Sequence, residues 1–212
     1  FRSLYEHFAS TIREEYAPFI LINTNFGYAN PFDKDLQFNK IKQLFGDVDN
    51  SIIREDTRSF YSFLETILYL AEEVDANVII RPHPGENQQR YHEIFDYYEN
   101  IHIIHEGDVR TWISAADVVI HHDCTTGIES ALMDSAVISY RPIDSANSSS
   151  EISQAVSREV FDRDRLLRAV RDSTSDTNNE ILDQQYDKLL PYFQNVDSCA
   201  ALAICEVFED QN

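Results

Sequence analysis

Short apolar runs alternate with amphipathic segments along most of this chain. The apolar runs contain few interruptions by polar residues, as is typical of parallel strands that are buried on both faces. They predict five strands, at residues 19–22, 78–80, 101–104, 118–120 and 137–140. The spacing between these runs leaves room for a helix after most strands, which indicates strand–helix–strand units.

The segments between the runs carry apolar residues at helical spacing. They predict helices at residues 1–16, 36–45, 56–74, 88–98, 110–116 and 125–133, and three closing helices at 163–172, 180–193 and 198–208. A polar, Ser-rich stretch at 144–153 is expected to be a loop. The alternation predicts an α/β fold, a Rossmann-like, doubly wound parallel sheet. We expect one domain over residues 1–212, with the core sheet in 17–142 and the loop and closing helices in 143–212.

Charge and cysteine content limit the partners, metal sites and cellular compartment that are expected for this chain. The chain has 17 Lys and Arg against 37 Asp and Glu, a formal net charge of −20. Such a chain repels nucleic acid and anionic membranes, so a nucleic-acid partner is not expected. The three cysteines show no metal-ligand spacing, which indicates a reducing compartment and a cytoplasmic protein without a metal site. No apolar run approaches the ~20 residues of a transmembrane helix.

Polar segments follow the predicted strands directly. In open α/β sheets, ligands bind beyond the carboxyl ends of the strands. The segments at these ends are residues 23–27, 81–84, 106–107, 121–127 and 141–142. The first contains Asn25 and Gly27 and is a candidate phosphate loop, but it lacks the GxGxxG pattern of dinucleotide-binding enzymes.

The segment 121–127 leaves a predicted strand and opens a helix. Free N–H groups and the positive helix end attract phosphate there. Thr125 and Thr126 would add hydroxyl donors, and Gly127 would let a ligand approach the backbone. Helix capping by Asp123 or Thr125 is the alternative interpretation, and both can hold together. Glu129, one turn further on, could accept hydrogen bonds from ribose hydroxyls or only stabilise the helix start.

The segment Arg81-Pro82-His83-Pro84 is the second candidate. Its two prolines hold the chain extended, which would fix Arg81 and His83 as a phosphate clamp. A protonated His83 could neutralise charge on a departing phosphate. The alternative is a proline-stiffened loop with a surface histidine. A zinc site built from His83, His121 and Asp123 has no support from spacing.

Two stretches of sequence carry a resemblance to a known family. "VIIRPHPGEN" and "EGDVRTWISAADVVIHHDCTTGIESALMDSAVISYRP", with "ILINTNFG" before them, resemble the carboxy-terminal domain of bacterial surface-carbohydrate (polysaccharide) biosynthesis proteins. These are glycosyltransferases of the GT-B type, which has two Rossmann domains. The likeness covers about residues 17–142. More distantly, the chain is similar to polysialyltransferases, capsule Kdo transferases and CDP-glycerol glycerophosphotransferases.

The resemblance implies a nucleotide-sugar donor, with a cytidine nucleotide favoured, and metal-independent glycosyl transfer without a further cofactor. It implies that His83, Thr125 and Thr126 contact the donor phosphate and that Glu129 holds the ribose. In these relatives the general base and the carbohydrate acceptor belong to an amino-terminal domain. We therefore expect that domain to lie outside this chain, which begins at Phe1, and the base stays unknown.

Two features of this comparison stay open. Asp134-Ser135-Ala136 stands where the relatives have Gly-x-Pro before the last strand. Peripheral membrane association of a longer protein is also open. The alternatives on the same scaffold are a nucleotide-sugar epimerase, a polyol-phosphate transferase and a non-catalytic nucleotide-binding scaffold domain.

Overall fold

The computed structural model describes residues 2–33, 43, 50–143, 151–173, 188–189 and 191–192. Within these ranges six strands form one sheet in which every pairing is parallel. The strands are β1 (Phe19–Asn23), β2 (Asn77–Arg81), β3 (Ile101–Ile103), β4 (Val118–His121), β5 (Val137–Tyr140) and β6 (Arg158–Val160). Their order is β3-β2-β1-β4-β5-β6, which is the Rossmann order. The predicted α/β fold is confirmed.

Seven α-helices are described between and around the strands. They are α1 (Glu6–Tyr16), α2 (Asn50–Glu73), α3 (Gln88–Phe95), α4 (Val109–Ala115), α5 (Thr126–Leu132), α6 (Glu151–Ala155) and α7 (Arg163–Ser173), preceded by a 3₁₀ turn at Arg2–Leu4. In the described ranges, no helix combines the length and apolar composition needed to cross a membrane.

The uninterrupted apolar runs form strands because both faces of the sheet are covered. In β1, Ile20 and Ile22 pack toward one layer, which contains α2, α3 and α7. Phe19 and Leu21 pack toward the other layer, which contains α1, α4 and α5. Successive side chains of a strand point to opposite faces, so a doubly covered strand shows no polar alternation.

The structure corrects the carboxy-terminal part of the predicted sheet. A sixth strand, β6, extends the sheet beyond residue 142, and α6 occupies the end of the stretch predicted to be a loop. Both elements are short, and β6 is an edge strand that exposes Glu159, so neither has the apolar pattern used for prediction. Helix α2 begins at Asn50 and α3 ends at Phe95, so α2 is longer and α3 shorter than predicted.

Parts of the remaining predictions fall on residues outside the described ranges. Of the helix predicted at 36–45, the structure describes residue 43, which is helical; the helix predicted at 198–208 lies outside the described ranges. Of the helix predicted at 180–193, the structure describes residues 188–189 as helical and residues 191–192 as a turn.

The layers explain where a ligand could bind. The chain leaves β1 toward α2 on one face of the sheet and leaves β4 toward α5 on the other. Because β1 and β4 are neighbours, the two connections diverge and open a crevice at the carboxyl ends of these strands.

Candidate functional site

The crevice is formed by the turns that follow β1 and β4. Asn23 and His121, the last residues of the two strands, are paired in register. The Asn25 side chain donates from Nδ2 to the carbonyl of Asp123 at 3.0 Å. Asn25 therefore ties the two turns together across the base of the crevice.

His121 anchors the turn after β4 and is 0% exposed. Its Nδ1 accepts the Cys124 N–H at 3.3 Å, so its Nε2 donates to Ser157 Oγ at 2.9 Å. Burial lowers the pKa of His121 to about 3. The ring is thus neutral and structural near neutral pH. In the described residues no group of three His, Cys, Asp or Glu side chains could hold a metal ion.

Gly127 is fixed by packing. A Cβ atom at this position would lie 2.3 Å from Ser153 Oγ and 2.6 Å from His121 Nε2. Real Cβ atoms do not approach other atoms so closely, because protein interiors are closely packed. Ser153 Oγ also donates to the Cys124 carbonyl, which holds α6 against this turn. The expectation that Gly127 admits a ligand stays a prediction beside this packing role.

The start of α5 has uncommitted donors. The N-cap residue Thr125 is exposed, and its side chain makes no capping hydrogen bond, so capping by its hydroxyl is not observed. The first backbone bond here runs from the Gly127 N–H to the Cys124 carbonyl at 3.1 Å. The amides of Thr125 and Thr126 come before this bond in the chain. Like the first amides of any helix, they have no acceptor within the helix.

Several buried polar atoms at this edge of the sheet have no hydrogen-bond partner. They are Asn23 Nδ2, His122 Nδ1, Thr126 Oγ1, Ser139 Oγ and Arg141 Nε. They belong to the carboxyl ends of β1, β4 and β5 and to the start of α5. Buried polar groups in native proteins are nearly always bonded to protein or water. This edge therefore provides polar positions for a ligand or for internal water.

His122 lies on the opposite side of the strand end from His121. Its ring stacks on Phe26 at 4.3 Å between centroids and meets Phe63 edge-on at 5.7 Å. Burial lowers the pKa of His122 to about 4, and the positive charge of Arg141 adds to the effect. Phe63 belongs to α2, so the two adjacent histidines face different layers.

The turn after β2 presents His83 to solvent. The exposed ring accepts the Gly85 N–H at Nδ1, at 3.1 Å. Nδ1 is therefore engaged, and Nε2 is the ring atom left to donate to a ligand. Contact between His83 and a phosphate stays a prediction.

Arg81 is mostly buried, with 7% of its surface exposed. Its two terminal nitrogens donate to four backbone carbonyls of the loop after β3, those of Ile104, His105, Glu106 and Gly107. The guanidinium also lies over the Trp112 ring, 5.4 Å from its centroid. Burial lowers the pKa of Arg81 to about 10. Arg81 holds this loop, and a phosphate contact from its terminal nitrogens would require the loop to open.

Glu129 and Gly27 lie at the two sides of the crevice. Glu129 is half-buried, and burial raises its pKa, while Arg110 lowers it and Asp108 raises it. These influences place the carboxylate beside the residues that open α4. Gly27 lies in the turn after β1, whose next amides, those of Tyr28 and Ala29, donate to Asp56. The ribose contact of Glu129 and the phosphate contact of Gly27 stay predictions.

Sequence reasoning missed Glu86, which directly follows the Pro84-Gly85 turn. An acidic residue beside Pro and Gly normally indicates an exposed loop, yet Glu86 is 0% exposed. Its Oε1 accepts from Thr24 Oγ1 at 2.9 Å, a contact across 62 positions of sequence. No local pattern reports a partner so far away along the chain.

Comparison with known proteins adds a fold relationship. No protein-family model matches the chain, and no curated protein matches it. Solved structures do match. The UDP-GlcNAc 2-epimerase of Methanocaldococcus jannaschii, in complex with UDP-GlcNAc and UDP, has a TM-score of 0.53 at 14% identity, covering 91% of this chain and 51% of that one.

Two glycosyltransferase structures are also similar. VinC in complex with dTDP has a TM-score of 0.48 at 12% identity, covering 84% of this chain and 39% of VinC. The glycotransferase of kitacinnamycin has a TM-score of 0.47 at 14% identity, covering 83% and 40%. The chain thus spans about half, or less, of each of these proteins. At such identities the likeness to the epimerase establishes the Rossmann-like fold.

Proposed function

We propose that this chain binds a nucleotide sugar in the crevice between β1 and β4, as the donor-binding half of a glycosyltransferase in surface-polysaccharide biosynthesis. The observation that carries the proposal is the set of buried, unpartnered polar atoms at this edge, from Asn23 to Arg141. The epimerase with the same fold is described in complex with UDP-GlcNAc and UDP, which supports a nucleotide-sugar ligand here.

The donor phosphate is proposed to lie against the start of α5. The amides of Thr125 and Thr126 precede the first backbone bond of this turn, and the Thr126 hydroxyl has no partner. His83 would donate from Nε2, since its Nδ1 is engaged by Gly85. Charge builds on the phosphate as the glycosidic bond breaks, so donors placed there stabilise the transition state more than the bound donor.

The remaining parts of the reaction are assigned by chemistry. Glu129, whose ionised form accepts hydrogen bonds, is proposed to hold the ribose hydroxyls of a cytidine nucleotide. Backbone amides, hydroxyls and His83 would stabilise the charge of the phosphate through hydrogen bonds, so the transfer is proposed to need no metal. The acceptor and its general base are assigned to an amino-terminal domain outside this chain. The chain alone should bind a nucleotide and transfer no sugar.

The second candidate is a nucleotide-sugar epimerase. The observation that favours it is the fold likeness to the archaeal epimerase, at a TM-score of 0.53. Both activities use a nucleotide sugar, so nucleotide binding alone cannot separate them. The products can: transfer joins the sugar to an acceptor, whereas epimerisation returns an altered nucleotide sugar.

Calorimetric titration of CMP, CDP, UDP and GDP into the 212-residue chain tests the common step. We expect a nucleoside diphosphate to bind, CDP best, and cytidine to bind at least tenfold more weakly, since it lacks the phosphates. EDTA should change the affinity by less than tenfold, or about 1.4 kcal/mol. Equal binding of cytidine and CDP would remove the phosphate site, and a larger loss with EDTA would refute metal independence.

A further inference from the structure

Glu86 is a buried carboxylate surrounded by neutral donors. Oε1 accepts from Thr24 Oγ1 at 2.9 Å and from the His83 N–H at 3.1 Å. Oε2 accepts from Tyr91 OH at 2.5 Å. Burial raises the pKa of Glu86, while these three bonds lower it. All three use the carboxylate as an acceptor, which is the role of its ionised form.

The donors come from three separate elements. Thr24 lies in the turn after β1, His83 lies in the turn after β2, and Tyr91 lies in α3. Tyr91 OH also lies 3.2 Å from Thr24 Oγ1, and each of these hydroxyls gives its one hydrogen to Glu86. Glu86 therefore joins one wall of the crevice to the turn that carries His83.

Backbone contacts support the same junction. The Asn87 N–H donates to the Asn30 carbonyl at 2.9 Å, and the Phe32 N–H donates to the Gly85 carbonyl at 2.8 Å. The Glu86 N–H donates to the His83 carbonyl at 2.8 Å. The two turns are thus aligned by backbone bonds, and Glu86 sets the orientation of the amide that precedes the His83 ring.

We infer that Glu86 is the positioning residue of this site: it fixes the turn after β1 and the turn that carries His83 relative to each other, and it acts on a bound phosphate only through the His83 ring. The inference rests on the proposed function. It differs from a purely structural role because removal of the network should weaken phosphate binding beyond its effect on folding, and only while His83 is present.

Two substitutions separate the acceptor function from the charge. Glu86→Leu has a similar size and removes every acceptor. Glu86→Gln keeps an acceptor oxygen toward Thr24 and His83 and can donate to the Tyr91 oxygen. In the 212-residue chain, we expect Glu86→Leu to weaken CDP binding by roughly tenfold, as for one lost bond to a charged group. Glu86→Gln should stay within about threefold of wild type, and cytidine binding should change in neither.

The coupling with His83 is the decisive measurement. Residues that act through one another are not additive, so Glu86→Leu should cause no further loss of CDP affinity in a His83→Ala background. Thr66→Val is the matched control, because it breaks a buried bond to Tyr140 OH (2.9 Å) away from both turns. It should lower the melting temperature without changing CDP affinity. Full additivity, or an equal loss in Thr66→Val, would overturn the inference.

Amide exchange of the ligand-free protein gives a readout that needs no nucleotide. The His83 N–H should be protected in wild type and in Glu86→Gln, and should lose protection in Glu86→Leu. If Glu86→Leu does not fold, Glu86→Asp, whose shorter side chain withdraws the carboxylate, takes its place. Should wild type bind no nucleotide, the proposed function fails, and the exchange data alone decide: unchanged protection of His83 refutes the positioning role.

Discussion

The turns after β2 and β4 both lie at the carboxyl ends of the strands of one sheet. Different kinds of interaction hold them in place. The turn after β4 is fixed by packing: His121 is fully buried, and Gly127 leaves no space for a Cβ atom. The turn after β2 is fixed by polar bonds to Glu86, while its His83 ring stays exposed. Packing tolerates little change, whereas a polar network can lose a member and keep the fold.

The unpartnered atoms are distributed unequally as well. The unpartnered atoms of Thr126 and His122 lie in the turn after β4 and at the start of α5, called here the β4 side. In the turn after β2, called the β2 side, both carboxylate oxygens of Glu86 accept hydrogen bonds. The β4 side is therefore rigid in its backbone and incomplete in its hydrogen bonds. We infer that it supplies most of a ligand's polar partners, and that the β2 side contributes one adjustable contact.

The largest expected effect is on stability, from Gly127→Ala. The new methyl would lie 2.3 Å from Ser153 Oγ and 2.6 Å from His121 Nε2, so the substitution should lower the free energy of unfolding by about 3 kcal/mol. Gly85→Ala is the matched control, because its Cβ would lie 3.3 Å from His83 Nδ1 at an exposed loop. It should cost less than about 1 kcal/mol. Equal losses in urea denaturation would contradict the contrast between the two turns.

The next effect is on affinity, from His83→Ala. Loss of a hydrogen bond to a charged phosphate is worth about 1.5–3 kcal/mol, or roughly ten- to a hundredfold in the Kd for CDP. Because Gly85 occupies Nδ1, Nε2 is the atom expected to donate. The melting temperature should barely change.

His92→Ala is the control for this prediction. His92 is a partly exposed histidine of α3 that contacts Asp96 at 2.9 Å, outside the crevice. It should leave CDP affinity unaltered in the same titrations. No loss with His83→Ala would make His83 a surface residue without a role in binding.

The sequence could predict the features that depend on residues close together along the chain. It could not predict the contacts between residues that are far apart. Four strands were predictable because each is an apolar run buried on both faces, and β3 was predictable from its isoleucines. By contrast, β6 is short and polar. Arg81 illustrates the limit at the site. Its position after a strand suggested a phosphate contact, but its four carbonyl partners depend on how the next loop folds back. Long-range polar pairing of this kind has no local pattern.

The third prediction concerns acid stability. The pKa of His122 falls to about 4 in the folded protein, below the unfolded value of about 6.5. As the pH drops from 6.5 toward 4, the unfolded chain binds a proton first, so stability is lost across that window. His122→Phe keeps an aromatic ring against Phe26 and removes the titration. As the pH falls through this window, the free energy of unfolding of the variant relative to wild type should rise by up to about 1.4 kcal/mol per pH unit.

A comparison between variant and wild type isolates this effect. Asp56, whose pKa is raised to about 6, works in the opposite direction, because the folded protein then binds its proton first. It is present in both proteins and cancels in the difference. Parallel pH profiles of stability for wild type and His122→Phe, from urea denaturation between pH 7 and 4, would show that His122 titrates normally.

The smallest effect is expected from Thr126→Val, and it tests the β4 side directly. Valine has nearly the same shape but lacks the hydroxyl, so the variant removes one proposed phosphate donor. A hydrogen bond to a charged group is worth about 1.5 kcal/mol at the low end, which predicts roughly a tenfold loss of CDP affinity. The affinity for cytidine should not change.

Thr126→Val should raise the free energy of unfolding. The reason is that Thr126 Oγ1 is buried without a partner in the free protein, and an unsatisfied hydroxyl is unfavourable. Thr57→Val is the matched control: its Oγ1 already donates to the Ile53 carbonyl at 2.7 Å within α2. That substitution should reduce stability slightly and leave CDP binding alone. If Thr126→Val binds CDP as tightly as wild type, the hydroxyl contacts no ligand, and the proposed phosphate contact of Thr126 is refuted.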